Sequence, residues 1–154
     1  MDRVKGLSTG SKIVLACGVL LFLSLFATWQ NLQVDYGRSG KAVLPQDGWD
    51  IWGLLIALVV IAAVSVVVVV HATDVDVSDD VAWEQVVLGL AALLVGLTLV
   101  KNVTDADSSW VSYLGVAFAL GVAGGAYLDW ARERVWERQV SRLSRSTRSS
   151  PGPS

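Results

Sequence analysis

Along this chain the apolar positions do not recur at a helical or strand period; they gather in four blocks, residues 13–29, 51–70, 81–100 and 111–128. Polar and charged positions crowd the two ends and the three connections between blocks. A helix on the surface of a water-soluble domain carries a polar face, and none of these blocks does. Their lengths are 17, 20, 20 and 18 residues. About 20 residues at a rise of about 1.5 Å cross roughly 30 Å of hydrocarbon, with about 17 as the lower limit. The pattern predicts an all-α, polytopic membrane protein. Its parts are a four-transmembrane-helix bundle over residues 1–130, an amphipathic cytoplasmic helix over 131–143 on the inner leaflet, and a disordered tail over 144–154.

Blocks one, two and four contain no Asp, Glu, Lys, Arg or His, and the third holds only Glu84, one turn from its start. A charge at mid-span costs about 2.5–3.5 kcal/mol on an insertion scale, so every block partitions favourably. The whole chain is 53% hydrophobic and 17% charged over 154 residues, with a mean hydropathy of +0.54, outside the range of an ordinary soluble domain. A net charge of −2 excludes nucleic-acid binding through bulk positive charge. The single cysteine, Cys17, lies inside the first block and can form neither an internal disulfide nor a metal cluster. The first block does not read as a cleavable signal. Trp29 spoils the small-x-small pattern after Ala27, and only four apolar residues separate Lys12 from Cys17, too few for the core of a lipoprotein signal.

Four spans place both termini on one side, with Arg3, Lys5, Lys12 and the C-terminal Arg132, Arg134, Arg138, Arg142, Arg145 and Arg148. Nine basic residues there face three on the other side, Arg38, Lys41 and Lys101. The positive-inside rule then puts both termini in the cytoplasm. Indoles favour the headgroup layer. Trp29, Trp49, Trp52 and Trp110 fall at the outer ends of the blocks and Trp83, Trp130 and Trp136 at the inner ends, with none in the middle.

The connections offer two clusters. In the outer loop 30–50, the turn formers Gly37, Gly40, Pro45 and Gly48 are too dense for a helix and too irregular to assign a hairpin, so it reads as a short folded cap. Trp49, Asp50 and Trp52 stand at the mouth of the second span; the favoured reading is an interfacial anchor with Asp50 as helix N-cap, ahead of an aromatic-lined ligand or cation site. The inner loop carries Asp74, Asp76, Asp79 and Asp80, oxygens that a calcium or magnesium ion would take. They lack the spacing and central glycine of a calcium loop, so the favoured reading is a solvated loop with Asp79 and Asp80 near the positive end of the third helix. His71, the sole histidine, reads as interfacial filler rather than a pH sensor. Ser108 or Ser109 is placed to cap the fourth helix.

Ala117, Gly121, Gly125 and Asp129 recur every fourth residue, a small-residue face on the fourth span. Such faces let transmembrane helices approach closely. Gly89, Ala92 and Gly96 share a face of the third span and are the candidate partner surface, with packing of spans three and four inside one chain favoured over a contact between subunits. Beyond Asp129, Trp136, Val140 and Leu143 form one apolar stripe flanked by Arg132, Arg134, Arg138 and Arg142. That suits a helix on an anionic leaflet, where each Arg gains about 1 kcal/mol.

No motif carries recognisable chemistry. Coupled transporters keep an ionisable residue inside the membrane, and hydrolases need clustered acids, bases and nucleophiles; neither arrangement is visible. The expected function is a structural or accessory membrane protein that associates with partner membrane proteins, without catalysis, cofactor or metal. The alternative is a homo-oligomeric channel, pore or small transporter, since hydroxyls can line a path and Ser24, Thr28, Ser65 and Thr98 supply a few. Expected contacts are the lipid bilayer, anionic headgroups at the C-terminal tail, and another membrane protein or a second copy, with no nucleic acid. Through Ser24-Leu25-Phe26-Ala27-Thr28-Trp29 and Gly48-Trp49-Asp50-Ile51-Trp52-Gly53 the chain resembles small four-span bacterial integral membrane proteins of unknown function. Those commonly carry Pro before the first Trp, where this chain has Thr28. The resemblance implies a multi-pass protein of the bacterial plasma (inner) membrane and brings no site residues with it.

Overall fold

The computed structural model describes residues 7–35, 41–72, 81–105 and 108–148. Among them the elements run α1 (Thr9–Ser24), β1 (Thr28–Asp35), β2 (Lys41–Asp47), α2 (Ile51–Ala72), α3 (Trp83–Thr104) and α4 (Trp110–Arg148). Helix α2, helix α3 and the stretch Trp110–Trp136 of α4 are long and apolar enough to cross a membrane. Helix α1 is apolar but shorter, at 16 residues.

Local chemistry sets most of the boundaries. Helix α1 starts at Ser8, whose Oγ accepts from the Ser11 N–H at 2.9 Å, satisfying one of the orphan donors of a first turn. It ends where the N–H groups of Leu25, Phe26 and Ala27 donate to carbonyls three residues back, a tightened terminal turn. Helix α1 therefore closes before Trp29, five residues short of the first hydropathic block. Helix α2 begins at the expected cap: Gly53 N–H donates to Asp50 Oδ1 at 2.7 Å and Leu54 N–H to the Asp50 carbonyl at 2.8 Å. Helix α3 overruns its block by four residues, which brings Lys101 into its last turn.

Helix α4 is continuous for 39 residues. Residues 131–148 continue α4, so the stretch 131–143 extends the fourth span's helix and the expected tail begins no earlier than 149. Sharp kinks need Pro, Gly or a bulge, and beyond Gly125 the helix contains no Pro, Gly or π-turn.

The expectation of a purely helical chain is also corrected. Strands β1 and β2 form an antiparallel two-stranded sheet, with Leu32 opposite Leu44, Val34 opposite Ala42 and Asp35 opposite Lys41. Leu32 and Val34 alternate along β1 and meet Leu44 and Ala42 in cross-strand pairs. Pro45 lies opposite Asn31, and in a two-stranded ribbon both strands are edges, where a missing N–H is tolerated. The hairpin is tied to the helices at its base. Gly48 N–H donates to the Leu25 carbonyl at 2.9 Å and Ser109 N–H to the Trp29 carbonyl at 2.8 Å, while the Ser109 hydroxyl donates to the Thr28 carbonyl. Ser109 thus joins α4 to the hairpin.

All four helices contribute to one core, including Val14 and Leu21 of α1, Ile56 and Val60 of α2, Leu94 of α3 and Val122 of α4. Helix α3 turns Val87, Ala91, Leu94, Thr98 and Lys101 inward, a single stripe at helical spacing.

Candidate functional site

Helices α1 and α4 run antiparallel at close range along a line of small residues. A Cβ on Gly125 would stand 2.7 Å from the Gly10 carbonyl oxygen and 3.0 Å from Val14 N, and one on Gly10 would overlap the Gly125 carbonyl and the Asp129 carboxylate. A Cβ on Gly121 would stand 2.5 Å from Cys17 Sγ. At the end of this line Asp129 accepts from the Ser8 hydroxyl at 2.5 Å and from the Ser11 hydroxyl at 2.8 Å. Gly121, Gly125 and Asp129 thus form the expected contact face, but their partner is α1. Ala117 is exposed and takes no part. Gly10, Ser8 and Ser11 are the residues sequence reasoning missed; two serines three apart just ahead of an apolar block were the available signal.

The hairpin end of the bundle holds a buried charge cluster. Lys101 has 0% exposure, and its Nζ lies 2.7 Å from Asp50 Oδ2 and 3.2 Å from Asp105 Oδ2. The contact with Asp50 is also a hydrogen bond. Asp105 Oδ2 has no hydrogen-bond partner, so its attraction to Lys101 is one of charge without the directional bond. The ammonium also lies 5.6 Å from the centroid of the Trp29 ring, within reach of a cation–π attraction. Trp29 is itself fully buried, its Nε1 donates to the Ser24 carbonyl at 2.6 Å, and its six-membered ring fills the place a Cβ on Gly115 would need. Its assignment as an interfacial anchor is therefore corrected: Trp29 is a core residue that joins β1, α1, α3 and α4. Trp49, Trp52, Trp110 and Trp136 are exposed and Trp83 and Trp130 half-buried. Arg134 stacks over the Trp130 ring at 4.4 Å.

Gly89, Ala92 and Gly96 do not meet α4. They are exposed, and nothing lies within 4 Å of a Cβ built on either glycine. They sit opposite the packed stripe of α3, in register with exposed Gln85, Leu99 and Val103. The steps 85, 89, 92, 96, 99, 103 alternate four and three, the spacing of a left-handed helix–helix seam. The outward faces of α1 and α2 carry bulk instead, with Leu20 and Leu23 on α1 and Leu54, Leu58 and Ile61 on α2.

Asp74, Asp76, Asp79 and Asp80 lie outside the described residues, as do the side chains of His71, Arg138 and Arg142. Among the described residues no group of three or more His, Cys, Asp or Glu is arranged to hold a metal ion. Comparison with protein-family models, with curated proteins and with solved structures gives no match to this chain.

Proposed function

We propose that the chain is a structural or accessory integral membrane protein of the bacterial plasma membrane, a four-span bundle with both termini in the cytoplasm, and that it docks a transmembrane helix of a partner protein on the outward face of α3. The observation that carries this is the open seam of Gly89, Ala92 and Gly96. Each glycine in a helix interior costs about 1 kcal/mol relative to alanine, and lipid chains have no steric need for glycine. A second helix does, because small residues let two backbones approach until dispersion and weak polar contacts hold them. Gln85 at one end of the seam can donate and accept a hydrogen bond.

The four-span reading is supported by the antiparallel course of α1 along α4. Ser8 and Gly10 lie beside Asp129 and Gly125, while Trp29 lies beside Gly115, so α1 traverses the same layer as the apolar stretch of α4. The 16 residues of α1 rise about 24 Å, and the tightened turn over residues 25–27 adds about 6 Å at about 2 Å per residue. Together these approach the thickness of the hydrocarbon.

The test is to place Leu at both Gly89 and Gly96 and to purify the variant and the natural chain in gentle detergent. The expected variant inserts, keeps its thermal midpoint and loses the partner subunit, whereas a control at lipid-facing Leu58→Ala retains it. Equal complex mass for variant and natural chain would remove the proposal. A seam-dependent complex built of this chain alone would replace the accessory role with the homo-oligomeric channel or transporter.

A further inference from the structure

Where α4 runs on past the ends of α1 and α3 it forms one wall of a groove of about 630 Å³, within the range of small-molecule sites. The groove is lined by Ser8 from the start of α1, Glu84 from the first turn of α3, and Asp129, Arg132, Glu133 and Trp136 from α4. It lies at the end of the bundle marked by half-buried Trp83 and Trp130, the level at which indoles meet lipid headgroups. Three carboxylates share it with one guanidinium. Asp129 is occupied by the Ser8 and Ser11 hydroxyls and Glu133 has contacts of its own, while among the described residues Glu84 and Arg132 make no hydrogen bond or ion pair.

We infer that this groove binds the headgroup of an ethanolamine phospholipid from the surrounding leaflet, with the ammonium on Glu84 and the phosphate on Arg132. The inference rests on the membrane reading given above. An excess of carboxylates repels a purely anionic headgroup, so the expected preference of the C-terminal arginines for anionic lipid does not extend to Arg132. A guanidinium binds phosphate through two parallel N–H donors. Glu84 accepts hydrogen bonds, which a primary ammonium donates and a trimethylammonium cannot. The Trp136 indole stands beside the site as an apolar wall for the glycerol end of the lipid. An ethanolamine headgroup supplies both charges, joined by a two-carbon bridge that lets one end face α3 and the other α4.

The experiment reconstitutes the full chain in bilayers with equal parts phosphatidylethanolamine, phosphatidylcholine and phosphatidylglycerol, then releases it for native mass spectrometry of the lipid that stays bound. Ethanolamine lipid is expected to be retained about tenfold over either competitor, the scale of one charge-assisted hydrogen bond. Glu84→Gln and Arg132→Gln should each lose that preference with the thermal midpoint unchanged. Retention of all three lipids alike, or a preference that survives both variants, would overturn the assignment. Displacement of bound lipid by equimolar soluble phosphoethanolamine would overturn the lipid as source and make the ligand a free metabolite. Resistance of the natural chain to carbonate extraction from membranes is scored separately, so failure of the membrane reading is distinguished from failure of the groove.

Discussion

Lys101 shows how a single side chain changes meaning between sequence and structure. Hydropathy ends the third block at Val100, and a lysine next in line reads as a loop charge. Its partner Asp50 is 51 residues away, a distance no local pattern reports. The legible part was Lys101 and Asp105 four apart, a pairing typical of one helix face, which would have extended the helix. Lys101→Met leaves Asp50 and Asp105 without their shared cation beneath the hairpin. Removing one member of a buried pair costs about 3–5 kcal/mol. The Asp50 side chain is 34% exposed and partly screened by water, so the lower part of that range is expected. Thermal unfolding in mild detergent should show the loss. Adding Asp50→Asn and Asp105→Asn should recover most of it, because asparagine still caps α2 and no charge is left unpaired. A single variant that unfolds at the natural midpoint would show that the cluster contributes nothing to stability.

Between elements, Gly124 and Gly125 are adjacent in sequence and opposite in consequence. Gly125 faces the backbone of α1, where a methyl group meets Gly10 O and Val14 N, atoms that cannot swing aside. Gly124 faces outward with nothing within 4 Å. Gly125→Ala should therefore cost about 1–3 kcal/mol, the range for overpacking. Gly124→Ala should be neutral or stabilise by up to about 1 kcal/mol, the helix-propensity difference. Equal midpoints for the two variants would refute the close approach of α1 to α4. That α4 has a small-residue contact face was legible from Gly121, Gly125 and Asp129 at four-residue spacing. Which helix it meets was not, since small stripes on α1 and α3 satisfy the same periodicity, and the choice depends on the Ser8 and Ser11 hydroxyls reaching Asp129. The hairpin was missed for a related reason. Pro45 and the scattered glycines argued against regular strands, while the pairing of Leu32 with Leu44 and Val34 with Ala42 becomes visible only in register.

For the molecule as a whole, the long apolar helices were the most legible feature, because their length is imposed by the thickness of hydrocarbon and needs no tertiary information. The continuation of α4 past Asp129 was legible from the absence of Gly and Pro, and only its last turn, into the stretch from 144, was not: its 39 residues rise about 58 Å at about 1.5 Å each, nearly twice the hydrocarbon. The polar half of α4 thus continues along the helix axis past the ends of α1 and α3, with Arg132 lining the groove where they diverge. Burial of Lys101 also alters the charge balance used for threading. An ammonium paired inside the bundle is not a loop charge, so under the proposed four-span threading nine basic residues on the terminal side face two, Arg38 and Lys41, on the hairpin side. Whether α1 crosses decides between three and four spans, and the N-terminus reports it directly. If only α2, α3 and α4 crossed, the N-terminus would share a side with the hairpin and the C-terminus would lie opposite. If α1 crosses as well, the two termini share a side and the hairpin lies alone. Short epitope tags ahead of Met1, between Asp35 and Lys41, and after Ser154 can be probed in intact cells with an impermeant reagent. The expected outcome is labelling of the hairpin tag only, with both terminal tags reached after the membrane is opened. Labelling of the N-terminal tag in intact cells would reduce the protein to three spans and leave α1 packed along α4 without crossing.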